Sequence, residues 1–171
     1  MTLPFPAPTE QADDRTAVLV RYLDYFRGVL LDKVAGLTGD QLRASALPSG
    51  WSPLELVKHL TFVEMRWLEW GFEGTSVDEP WGDQDQAGRW LVGADESPAD
   101  VLDALRERGR VTAAIARRHR LEDVGAPGER WEGADPATLE RCLLHLLQEH
   151  ARHLGHLDVV RELLDGRTGE S

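Results

Sequence analysis

The sequence predicts an all-α fold, a bundle of four long helices joined in part by crossover connections. Three observations predict it. Apolar residues recur at three-to-four spacing in four segments, the stripe that an amphipathic helix buries. The best-marked segments open on a capping residue followed by proline at the first helical position, where a missing N–H costs nothing. Strand-like alternation and internal repeats are both absent from the sequence.

The first helix is expected from about Asp14 to Leu37, with Val18, Tyr22, Phe26, Leu30 and Val34 as its buried stripe. Thr38-Gly39-Asp40 breaks that pattern, and a short helical turn near Gln41 to Ala44 follows it. Ser52-Pro53 opens the second long helix, and Glu55 lies three residues after Ser52, the spacing of a capping box. Ser97-Pro98 opens the third and Asp135-Pro136 the fourth, which runs to about Asp165 before Gly166 offers a left-handed cap. The connections from about Gly71 to Glu96 and from about Leu121 to Asp135 are rich in Gly, Asp, Glu and Pro. Connections this long are uncommon inside a compact domain and often functional. Fully extended, the first reaches ~80 Å, enough to run the height of a bundle and let the second and third helices lie parallel.

Size and composition bound the rest. A chain of 171 residues is about one domain. Its parts are expected as a flexible arm over 1–13 (Pro4, Pro6 and Pro8), a bundle over 14–166 and a flexible tail over 167–171. Cys142, the single cysteine, has no partner for an internal disulfide, which points to a reducing cytoplasm. No run approaches the ~20 apolar residues of a membrane span, and the N-terminal stretch lacks the pattern of a signal peptide. A formal charge of -11, from 30 acidic against 19 basic residues, repels phosphate backbones and anionic membranes, so neither nucleic acid nor membrane is expected as a partner.

The chemistry is concentrated on the last helix. Its stripe runs through Leu139, Cys142, Leu143, Leu146 and Leu147, meets Glu149, His150 and His153, and resumes at Leu157, Val160 and Leu164. At about 100° per residue His153 falls near the middle of the stripe and Glu149 at its edge. An unpaired carboxylate on such a face costs several kcal/mol, so it needs a proton, a cation or a hydrogen-bonding network. Four residues apart, Glu149 and His153 stack on adjacent turns and can converge on one ion. The best third donor is His59, a histidine at the edge of the apolar stripe that starts at Leu54. On spacing alone two readings stand, a three-ligand metal site and a hydrogen-bonded polar cluster.

The other candidates read more simply. His150 points inward with Leu146 and Leu154 at plus and minus four, as a helix-packing histidine. His145 and His156 lie at the stripe's boundary, where they either orient a ligand or face solvent. His119 complements a helix C-terminus. Cys142, on the apolar stripe and far from any base, reads as an inert thiol. Trp51 and Trp67 are expected in the core, while Trp81, Trp90 and Trp131 sit in the long connections, lining a pocket or pinning the loops. No Walker loop, GxGxxG or GxSxG occurs.

Two stretches together carry a resemblance: Trp51 to Leu60 (WSPLELVKHL) with Glu64 and Trp67, and Glu149 to Asp158 (EHARHLGHLD) with Arg161 and Glu162. They resemble the DinB superfamily of metal-binding four-helix bundles, in particular its actinobacterial branch, over nearly the whole chain. The resemblance implies an up-down-down-up bundle, often a homodimer. It also implies a metal held by a histidine of the second helix and two residues four apart on the fourth, here His59, Glu149 and His153. Many members use three histidines; the His-Glu-His set resembles that of mycothiol-dependent maleylpyruvate isomerase. A carboxylate is a competent zinc ligand, and zinc comes first, with nickel or another first-row ion as the alternative.

The superfamily includes S-transferases that use bacillithiol or mycothiol. The expected function is therefore a metal-dependent thiol S-transferase, with mycothiol as co-substrate and a small electrophile as its second partner. Two other readings stay open. One is a hydrolase using metal-activated water, and the other a non-catalytic metal-binding or dimeric interaction protein. No residue is singled out as catalytic beyond the metal ligands.

Overall fold

The computed structural model describes residues 4–12 and 14–169. The expected arm and tail thus fall partly outside the described residues, at 1–3, 13, 170 and 171. Among the described residues five α-helices form: α1 (Arg15–Ala35), α2 (Gly39–Arg43), α3 (Pro53–Met65), α4 (Pro98–Arg118) and α5 (Leu139–Asp165). Helix α3 passes without a break into a π-helical stretch, Arg66–Phe72, and a 3₁₀ turn, Glu129–Trp131, interrupts the second long connection. Among the described residues there is no strand, only two isolated β-bridges, and no helix long and apolar enough to cross a membrane.

The caps explain most of the helix ends. Asp14 accepts from Ala17 N, and both Thr38 and Ser52 close complete capping boxes with Gln41 and Glu55. Ser97 caps α4 ahead of Pro98, and Gly166 closes α5 in the left-handed region at φ 74°. Two expectations are corrected. Helix α5 begins at Leu139 with Thr138 as its cap, not at Asp135-Pro136. The residues before it pair their backbone with the preceding loop instead: Gly125 N donates to Ala137 O, and Leu139 N to Asp123 O. The buried stripe of α1 is Leu23, Arg27, Leu30 and Val34, while Val18 is exposed. Tyr22 and Tyr25, beside it, meet the edge of the Phe5 ring.

Long-range pairs set the helix directions. Arg15 pairs with Glu140 near the starts of α1 and α5, and Lys33 with Asp158 near their ends, so these two helices run the same way. Lys58 meets Glu96, Glu64 meets Thr112 and Glu73 meets Arg118, so α3 with its π-helical continuation runs alongside α4.

The core has two apolar clusters. One gathers Leu30, Val34, Leu54, Val57, Leu60, Leu105 and Leu157; the other gathers Leu23, Val63, Leu68, Ile115, Leu143 and Leu146. A polar layer with one residue from each long helix lies between them. Arg27 donates to both oxygens of Glu64 at 3.0 and 3.1 Å, Thr112 Oγ1 donates at 2.5 Å, and His150 Nε2 donates at 2.8 Å. Glu64 has no exposed surface. Burial alone would raise its pKa, but the Arg27 charge and the bonds from His150 and Arg27 hold it far below the usual range.

Room for this layer comes from Gly109 on α4, because a Cβ there would lie 2.6 Å from Arg27 Nη1 and 2.8 Å from its Cζ. That guanidinium is fixed by Glu64 and Asp24, so it has no free direction in which to yield. Gly109→Ala is expected to lower stability by about 1–3 kcal/mol. Gly28→Ala in α1 meets no atom within 4 Å and is expected to raise it by about 0.5–1 kcal/mol. Chemical denaturation of the two variants measures both, and a stabilised Gly109→Ala would disprove the close-approach account.

Candidate functional site

His59, Glu149 and His153, from α3 and α5, each bring one potential ligand atom into a group whose members all lie within 4.8 Å of one another. The i to i+4 spacing on α5 does the first part, placing His153 Nε2 3.2 Å from Glu149 Oε2. Packing of α3 on α5 does the rest, with the His59 and His153 rings 5.1 Å apart at 76°. His153 is buried, and its Nδ1 has no hydrogen-bond partner. Burial first, then the neighbouring His59, pushes its pKa well below that of a free imidazole, which leaves the ring neutral at pH 7.

The long connection between the π-helical stretch and α4 folds onto this group. Asp85 Oδ1 accepts from the backbone N–H of Ala87 and Arg89, closing a turn that pairs Leu91 N with Asp83 O. This places two side chains on His59. Trp90 stacks on its ring at a centroid distance of 4.2 Å and 19°, and Asp83 Oδ2 lies 3.0 Å from its Nδ1. Asp83 is fully buried and also receives two bonds from Arg66, at 2.6 and 3.1 Å. Burial would raise the Asp83 pKa; the bonds from His59 and Arg66 hold it below the ordinary value. A pocket of about 500 Å³, lined by Ser49, Trp51, Glu55, Asp85, Arg89 and Trp90 among others, opens on the Trp90 side.

The family model described as mycothiol-S-transferase matches residues 18–166. The chain belongs to this family. Membership bears out the DinB-like resemblance carried by the two sequence stretches. Among curated proteins none matches the chain. Of the solved structures, a conserved protein from Enterococcus faecalis is similar at a TM-score of 0.64 and 16% identity, covering 91% of this chain and 100% of the other. That likeness extends to the fold alone.

The remaining histidines of this mycothiol S-transferase family member sort by their partners. His150 is buried, as a helix-packing histidine would be, and beyond that reading it bonds to Glu64 in the polar layer. The His145 ring lies tilted at 53° against Trp67, 4.3 Å between centroids, and 3.8 Å from Glu149 Oε1, with burial lowering its pKa. His156 is exposed, its ring 5.5 Å from that of His153 and 6.3 Å from Trp51. His119 lies 3.3 Å from Glu73, at the end of α4. Cys142 is a free, buried thiol whose pKa burial pushes up to about 11, in keeping with an inert role.

Three buried charged residues that the structure pairs, Glu64, Arg27 and Asp83, have no role assigned from the sequence. Glu64 and Arg27 carried a usable signal, a charge in the middle of each of two apolar stripes. Asp83 carried none, since nothing in a polar loop distinguishes it from Asp78 or Asp85.

Proposed function

We propose that the protein is a metal-dependent S-transferase that joins mycothiol to a small electrophile, with one divalent ion on His59, Glu149 and His153. The observation that carries this reading is the convergence of three donors from two helices within 4.8 Å, in a chain of the mycothiol S-transferase family. The donor set fits a metal. Two imidazoles and a carboxylate suit zinc first and nickel second, and tetrahedral ligands at ~2.0–2.2 Å stand ~3.3–3.6 Å apart, near the 3.2 Å between His153 Nε2 and Glu149 Oε2. The rest of the reading is a four-helix bundle of up-down-down-up topology, supported by the paired directions of α1 with α5 and α3 with α4. A cytoplasmic homodimer completes it.

Three protein donors leave coordination room, and a bound ion there would supply positive charge that favours a thiolate over a thiol at neutral pH. In the transfer, a sulfur lone pair forms the bond to the electrophilic carbon, while the leaving group departs with the electrons of its own bond. The thiol proton passes to solvent. The protein's part is to hold the donors, cover His59 with the Trp90 ring and keep open the pocket between Trp51 and Trp90. At about 500 Å³ that pocket is within the range of small-molecule sites, with aromatic faces and carboxylates for a hydroxyl-rich thiol.

The test is conjugation by zinc- or nickel-loaded protein of mycothiol to a panel of electrophiles, beside a working transferase. Metal-dependent product is expected. No product with any electrophile would count against the transferase, and turnover without thiol would favour hydrolysis instead.

A further inference from the structure

The proposed ligand set does not use Asp83, yet it is the most completely buried carboxylate beside the cluster. It comes from the connection between the π-helical stretch and α4, not from a bundle helix. Three bonds converge on it: Arg66 Nη1 at 2.6 Å, Arg66 Nη2 at 3.1 Å and His59 Nδ1 at 3.0 Å. Arg66 is itself locked, donating to Pro80 O at 3.0 Å and lying 4.4 Å from the centre of the Trp81 ring. A carboxylate paired with both nitrogens of a guanidinium fork can only accept, so the hydrogen between Asp83 and His59 sits on Nδ1. The lone pair of the neutral ring is then on Nε2, the nitrogen left for Glu149 and His153.

From this we infer that Asp83 is a positioning residue, which fixes His59 as its Nδ1–H tautomer and aims Nε2 into the cluster. An unheld imidazole turns about its side-chain bonds and samples both tautomers. Asp83 fixes the ring edge and Trp90 the ring face, so the long connection has a defined task in assembling the site. This arrangement has the form of a carboxylate–histidine pair behind a metal ligand, in which loss of the carboxylate weakens metal binding. The metal-binding consequence rests on the function proposed above; the tautomer does not.

The test has two readouts on the full chain. In metal-free wild type at a pH where His59 is neutral, long-range ¹H–¹⁵N spectra of the imidazoles are expected to show His59 as Nδ1–H; an Nε2–H ring would overturn the inference by itself. Zinc affinity by chelator competition is expected to fall about 10–100-fold in Asp83→Asn and Asp83→Ala, with one ion per chain still bound at saturation. Folded variants with wild-type affinity would also overturn it. A purely structural role would lower the melting temperature without moving the tautomer. Arg66 loses its anionic partner in both variants, and where they fail to fold the wild-type spectrum decides the question. Wild type that takes up no zinc or nickel would sink the metal-dependent function while leaving the tautomer result intact.

Discussion

Glu64→Gln should destabilise the protein by about 3–5 kcal/mol, with the fold and the arrangement of helices retained at neutral pH. The cost arises from what remains. Arg27 is buried and gives two of its bonds to Glu64, so the amide leaves a buried cation with only the partly exposed Asp24 to balance it. Removing one charge of the pair is thus worse than removing both, which comparison with a double variant can reveal. Arg27→Leu with Glu64→Leu removes both charges and should recover much of the loss, although Thr112 and His150 lose their acceptor. Acid adds a second signature. The folded Glu64 pKa lies below its unfolded value of ~4.3, so ionised Glu64 contributes stability above that pH, and the contribution drains away as pH falls towards the folded pKa. In Glu64→Gln this component of acid unfolding should disappear. A loss under ~1 kcal/mol in denaturant unfolding would show that the layer does not bear on stability.

This layer marks the boundary of what could be read from the sequence. The helices were legible because capping and periodicity are local: Ser52-Pro53 and Ser97-Pro98 stand at the predicted starts, and Gly166 closes α5 as expected. The start of α5 was not, because Asp135-Pro136 is a plausible local start that loses to backbone pairing with the loop at 121–125. The same logic divides the site. His153 and Glu149 are neighbours by helical spacing alone, and His59 was accessible as a histidine within an apolar segment. Asp83 and Trp90 reach His59 only through a turn held by Asp85, a tertiary event with no periodic trace. Glu64 and Arg27 lie between these cases. Each breaks an apolar stripe, but that they answer each other depends on how α1 and α3 are set side by side.

On the function proposed above, replacing any one of His59, Glu149 and His153 by alanine should abolish uptake of one ion per chain and lower thiol transfer by about 10²–10⁴-fold at pH 7, while the helical content stays as in wild type. The stoichiometry follows from ligand count: two donors hold a zinc-like ion far more weakly than three, and alanine brings no substitute. The rate follows from the thiol. A free thiol with a pKa of ~8.5 is only a few per cent thiolate at pH 7, so losing the ion's charge costs about thirtyfold through ionisation alone. Lost positioning of the sulfur accounts for the remainder. The two contributions separate by pH. As pH rises from 7 to 9 the free thiol ionises unaided, so the ionisation part of the gap should close and the positioning part persist. Elemental analysis of dialysed, untagged protein gives the first readout and pH–rate profiles the second. His59→Ala that keeps one ion per chain would remove α3 from the ligand set, and a gap that does not narrow with pH would show that thiol ionisation is not what the site provides.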